Sequence, residues 1–176
     1  NPNRKERMRM GDAKCADLIC TRYANTISEI RDMVRIDLCR SGSDDEIHEQ
    51  YDKLKNYSLS LDYVLSGELG NKYACFRWQL SWGGPSDEFM FPFNDHVFTY
   101  ENDLGMYYFD YNATDKMGRK ACQYWFRDWG DCAHVNVVDE EHALLMQEVL
   151  NTYGRMGVCF DEFRKRDGIP ARKEPF

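Results

Sequence analysis

Residues 73–93, Tyr-Ala-Cys-Phe-Arg-Trp-Gln-Leu-Ser-Trp-Gly-Gly-Pro-Ser-Asp-Glu-Phe-Met-Phe-Pro-Phe, decide the class of fold. Ala74, Phe76, Trp78, Leu80 and Trp82 fall on one side of a period-two strand, and Arg77, Gln79 and Ser81 on the other. Gly83-Gly84-Pro85-Ser86-Asp87 then predicts a reversal, because glycine reaches unusual backbone angles and proline fixes its own φ. Phe89, Phe91 and Phe93 resume the alternation, so the stretch predicts two strands joined by a turn. Trp78 and Trp82 are both expected in the core.

Before this pair the pattern is helical. Leu18, Ile19, Tyr23, Ile27, Ile30, Val34 and Leu38 recur at three- and four-residue spacing, predicting one long helix or two in sequence over residues 5–40. Ser41-Gly42-Ser43 marks a stop and a restart. Ser43-Asp44-Asp45-Glu46 has the form of a capping box opening a helix to about Tyr57. Leu59, Leu61, Tyr63 and Leu65 alternate and suggest a strand before the central pair. After it, His96–Tyr100, Met106–Tyr111, Cys122–Trp129 and His134–Val138 are further strand candidates. Asp139-Glu140-Glu141 opens a C-terminal helix with Ala143, Leu144, Met146, Val149, Leu150 and Tyr153 on its apolar face. The order predicts an α+β fold: N-terminal helices, a central antiparallel sheet of about four to six strands and a C-terminal helix. One domain over 1–176 is expected, with a helical part at 1–57, a sheet at 58–138, the C-terminal helix at 139–166 and a mobile tail at 167–176.

Composition narrows the function classes. The chain has 176 residues, 43% hydrophobic and 14% aromatic, enough for a sizeable core. It has no run of about 18 apolar residues, so no membrane span is expected. The first ten residues lack the apolar segment of a secretory signal. The seven cysteines, Cys15, Cys20, Cys39, Cys75, Cys122, Cys132 and Cys159, form no Cys-x-x-Cys pair. Reduced thiols, a cytoplasmic setting, no cofactor and no metal are therefore expected. Cys132-Ala-His134 with His142 is the nearest approach to a zinc set. Gly83-Gly84 lacks the lysine of a phosphate loop and precedes a strand, which disfavours nucleotide binding.

The net charge of −7 is unevenly placed: residues 86–148 hold thirteen acids and four bases, while residues 1–40 hold six acids and nine bases. A field of one sign attracts basic surfaces and repels a phosphate backbone. Direct nucleic-acid binding is disfavoured, and a protein partner with a basic surface is expected. The expected contact residues are Asp87, Glu88, Asp95, Glu101, Asp103, Asp110, Asp128 and Asp131 on one acidic sheet face. Asp128 and Asp131, flanking Trp129-Gly130, are also the pair that a small enzyme would use for acid/base chemistry. Two acids at that position more often form a turn.

Ser81-Trp82-Gly83-Gly84-Pro85-Ser86-Asp87-Glu88-Phe89, followed by Tyr124-Trp125-Phe126-Arg127-Asp128-Trp129, resembles small proteins of phages and mobile elements. The resemblance spans roughly residues 73–150. It implies the company of host-defence inhibitors, which include anti-CRISPR and antirestriction proteins, many of them small, acidic and non-enzymatic. Some act as DNA mimics; this chain carries more bases than the extreme examples. The function expected is a non-enzymatic anti-CRISPR protein that binds an RNA-guided nuclease and blocks its cationic nucleic-acid channel. An antirestriction or other host-takeover protein is the second reading, and the Asp128/Asp131 enzyme the third.

Overall fold

The alternation at 73–93 forms two neighbouring strands in an antiparallel sheet, with helices packed on one face. A computed structural model of the chain describes residues 14–66, 72–82, 85–92, 98–101, 106–112, 114, 118 and 120–157. The elements are helices α1 (Cys15–Met33), α2 (Leu38–Ser41), α3 (Asp44–Tyr57) and α4 (Glu140–Arg155), and strands β1 (Ser60–Ser66), β2 (Lys72–Gln79), β3 (Pro85–Pro92), β4 (Phe98–Glu101), β5 (Met106–Phe109), β6 (Gln123–Asp128) and β7 (Asp131–Asn136). Five strands form one sheet in the order β1-β2-β3-β6-β7, and β4 pairs with β5 separately. The fold is α+β, as the order of patterns predicts. Among the described residues no helix is long and apolar enough to cross a membrane.

Register places Trp78 opposite Phe89, Phe89 opposite Tyr124, and Tyr124 opposite Val135. The Trp78, Phe89 and Tyr124 rings make a continuous row, with centroids 5.9 and 5.1 Å apart, and all three are fully buried. Ile19, Ile27 and Ile30 of α1 and Met146, Val149 and Leu150 of α4 close over them in one core. The Trp78 indole N–H donates to the Tyr153 hydroxyl at 3.3 Å, so the buried nitrogen keeps a partner.

The same alternation fails two residues later. β2 ends at Gln79, and Trp82 is 77% exposed, against the expectation that it is core. The N–H groups of Leu80 and Ser81 both reach the carbonyl of Asp87, at 2.9 and 3.3 Å. The Asp87 N–H donates in turn to Ser81 Oγ at 2.9 Å. Two residues set against one interrupt the period-two pattern and turn Trp82 out.

The helix boundaries have local causes. α1 stops at Met33 and the chain runs extended at Val34, short of the apolar stripe's continuation to Leu38. The Arg35 N–H is taken by the Gln50 side chain at 2.8 Å, and Asp37 adopts φ 63°. Gly42 lies so close to Leu38 that a Cβ there would sit 2.7 Å from its carbonyl oxygen. Both halves of the Ser43/Glu46 capping box form. α4 opens on Asp139, whose carboxylate accepts the His142 N–H at 3.1 Å. It closes at Arg155, before Gly157 at φ 87°; the rest of the expected 139–166 helix lies outside the described residues.

Helices α2, α3 and α4 meet around Glu148, only 4% exposed, whose carboxylate accepts the Cys39 N–H at 2.7 Å. Gln50 donates to the Thr152 hydroxyl at 2.8 Å in the same layer. Burial pushes the Glu148 carboxyl above its ordinary 4.5, partly opposed by the hydrogen bonds from Cys39.

Emptying the Trp78 site should be severe: Trp78→Ala is expected to lose about 3–5 kcal/mol in urea unfolding. Glu148 supplies a pH test. A carboxyl raised in the folded state penalises folding as pH climbs from the ordinary carboxylate pKa through the raised one. Glu148→Gln keeps an oxygen for Cys39 but carries no charge. Its Tm should match the parent's in acid and exceed it near neutrality, and a pH-independent difference would refute the assignment.

Candidate functional site

Asp87 and Glu88, two of the expected acidic contact residues, do not share a face, because the period of β3 forbids it. Asp87 and Glu88 are adjacent in the strand and point to opposite sides of the sheet. Asp87, which the predicted turn included, lies within β3. Asp87 faces α1, where one of its oxygens meets the Arg22 guanidinium at 3.5 Å. That guanidinium also lies 4.3 Å over the Phe126 ring. Burial raises the Asp87 carboxyl pKa, while Arg22 and the Tyr124 hydroxyl pull it down. Glu88 is 4% exposed on the other face and takes the Arg127 Nε–H at 2.7 Å. Arg127 in turn lies 4.8 Å over Trp125, which stacks on His134 at 4.5 Å.

Asp131 is committed to the fold. Its carboxylate accepts the Cys15 N–H at 2.7 Å, capping the first turn of α1 from a strand more than a hundred residues away. Hydrogen bonding from the Cys15 backbone holds its carboxyl below the ordinary 3.8. Asp128 pairs with Asp131 across the β6–β7 turn. Asp110 is exposed, with its carboxylate accepting the Asn112 N–H at 2.8 Å. Glu101 ends β4, and Asp95 and Asp103 lie outside the described residues. The cysteine–histidine set is also separated: His134 stacks on Trp125 on the outer face, whereas His142 bonds the Tyr23 hydroxyl at 2.9 Å on the helical side.

What topology does bring together is one end of the sheet. The pairs Ser60–Gln79, Pro85–Asp128 and Asp128–Asp131 are terminal pairs of adjoining ladders. Leu59, the Leu80–Trp82 segment and the Trp129-Gly130 turn therefore all leave from that end. Leu59 is 59% exposed, Trp82 77% and Trp129 90%. Asp131 ties the start of α1 to the same end, and its first turn carries the exposed Leu18.

Trp129 is the most telling of these side chains. It and Gly130 have φ 40° and 93°, so both central residues of a two-residue hairpin turn sit in the left-handed region. Such turns favour Asn-Gly or Asp-Gly, and another residue there costs about 1–2 kcal/mol. Trp129 takes that penalty and buries nothing in return. The sequence carried the signal, a tryptophan directly before a glycine between two alternating runs. Attention to the flanking acids passed over it.

Beside this end lies a polar cleft of about 530 Å³ between α1, the close of α3 and the β2–β3 connection. Arg22, Thr26 and Glu29 line it from α1, with Tyr57, Ser81 and Asp87 opposite. The Tyr57 hydroxyl donates to Glu29 Oε2 at 2.7 Å. Thr26 Oγ1 lies 3.4 Å from the Tyr124 hydroxyl at the base.

No family model matches the chain, and no curated protein or solved structure matches it significantly. The site's meaning thus rests on its own geometry. Replacing Trp129 by the residue the turn prefers tests the strain directly. Trp129→Asn should stabilise the fold by about 1 kcal/mol in urea unfolding. A loss of stability would mean that the indole packs on the protein in solution.

Proposed function

We propose that this protein is a non-catalytic binding domain that seats Trp82 and Trp129 in apolar recesses of a protein partner. The observation that carries the reading is Trp129, 90% exposed on a backbone conformation that disfavours it. Strain held at an exposed position is a mark of function. Tryptophans are also the residues most enriched among those that dominate protein–protein binding.

Charge supports a basic partner. Residues 86–148 hold thirteen acids and four bases. With Asp87 and Glu88 paired internally, the acids act through their summed field, which speeds encounter with a cationic surface, rather than as a row imitating phosphates. Together with the resemblance carried by Ser81–Phe89 and Tyr124–Trp129, this favours an inhibitor of host defence in the cytoplasm of a host cell. The target class is an RNA-guided nuclease, making the protein an anti-CRISPR protein. An antirestriction or other host-takeover role would use the same surface on a different target. The enzyme built on Asp128 and Asp131 is disfavoured, because Asp131 already caps α1.

The test is inhibition of a candidate RNA-guided nuclease across a salt series, with circular dichroism as the folding control. Inhibition is expected to weaken as salt rises, mainly through slower association. The double variant Trp82→Ala with Trp129→Asn should raise the inhibitory concentration by at least about thirtyfold, the scale of one lost anchor residue. Full inhibition by the folded double variant would refute the tryptophan-anchored reading.

A further inference from the structure

The cleft next to Trp82 already shows how it treats one guanidinium. Within it Arg22 lies 4.3 Å over the Phe126 ring and 3.5 Å from the Asp87 carboxylate. A flat cation is held by an aromatic face on one side and a carboxylate at its edge. The cleft lining holds a second ring and a second carboxylate. Tyr57 supplies a half-buried ring, and its hydroxyl holds the Glu29 carboxylate by a 2.7 Å hydrogen bond. That bond uses Oε2 of the carboxylate and not Oε1.

We infer that this second ring and carboxylate receive an arginine side chain of the protein partner. This rests on the binding role proposed above and names the chemistry recognised beside its tryptophan anchor. The charged groups on the cleft are Arg22, Glu29 and Asp87, so one negative charge is left uncompensated. A single cation neutralises it, whereas an anion would face two carboxylates. The volume of about 530 Å³ is ample for one side chain. Arginine fits better than lysine because its planar fork stacks on a ring and presents parallel N–H groups to a carboxylate. Trp82 leaves the chain one residue after Ser81, which lines the cleft, so an apolar anchor and the cation site adjoin.

The experiment titrates the intact protein with Nα-acetyl-arginine amide and follows backbone amide resonances of Asn25, Tyr57 and Ser81. The neutral, near-isosteric Nα-acetyl-citrulline amide is the comparison. Saturable shifts are expected with the arginine probe, at a Kd on the order of millimolar for one isolated side chain. Glu29→Gln keeps an acceptor for the Tyr57 hydroxyl and should weaken the probe by about tenfold, the scale of a lost charge-assisted hydrogen bond. Glu140→Gln, at an exposed carboxylate that does not line the cleft, should leave probe binding unchanged. No saturable shift, equal affinity for citrulline, or an unaltered Kd in folded Glu29→Gln would each overturn the assignment. The probe needs no partner, so its failure leaves the tryptophan anchors standing. Loss of nuclease inhibition as a function would likewise leave a positive titration standing.

Discussion

The row of rings formed by Trp78, Phe89 and Tyr124 across β2, β3 and β6 is the contact on which the rest of the molecule depends. It fixes more than stability. A slip of one residue in any of these strands would carry Arg77, Glu88 or Trp125 into the core and the matching aromatic out to the other face. The buried rings therefore lock the register, and the register then dictates every other placement on the sheet. Asp87 points toward α1 because Phe89 does, and Glu88 points away because it is one residue off. The helices read the same row from above, with Tyr23 of α1 packing 5.5 Å from Tyr124 and Tyr153 of α4 bonded to the Trp78 indole.

With the register fixed, arginine takes up much of the acidity around the sheet. Arg77 grips Asp62 through two N–H groups at 2.9 and 3.0 Å, and Arg127 holds Glu88 at 2.7 Å. Arg22 and Arg127 each cover an aromatic ring as well, which spreads their charge over a surface that lysine would not match. A chain with a net charge of −7 thus holds three of its strand acids, Asp62, Asp87 and Glu88, in local pairs. Further acids gather at helix starts. Asp44, Asp45 and Glu46 open α3, and Glu140 and Glu141 open α4, where the helix dipole favours them.

Legibility followed the range of the interactions. The Ser43/Glu46 box closes over three residues, so its residue types were enough to read it. The alternation of Phe76 and Trp78, and of Phe89 and Phe91, reflects a local period and was equally plain. The end of β2 was not, because the bonds that break its pattern join Leu80 and Ser81 to Asp87, across a turn. The end of α1 depends on a Gln50 side chain from another helix, and nothing in the stripe itself foretells it. The candidate site suffered most. Counting acids along 86–148 compresses two sheet faces and a helix cap into one line, so residues as differently placed as Asp87, Glu88 and Asp131 looked equivalent. The tryptophans that do converge come from separate connections, and only the pairing of β3 with β6 brings those connections to one end.

That end is also held in place by the fold, which bears on its proposed role as a binding surface. A loop that must order itself on binding loses affinity to the entropy of ordering, by roughly 0.5–1.5 kcal/mol for each immobilised side chain. Here the two-residue turn carrying Trp129 is as short as a hairpin allows, and Gly130 relieves its second left-handed position. Asp131, directly after the turn, is pinned to the first turn of α1 by a 2.7 Å hydrogen bond. Trp82 follows a segment held by three bonds between Leu80, Ser81 and Asp87. The Trp129 indole therefore projects from a backbone already fixed by the fold, and the strain there is borne during folding, before any partner arrives. A surface prepared in this way can give up stability at one residue and recover it as binding free energy.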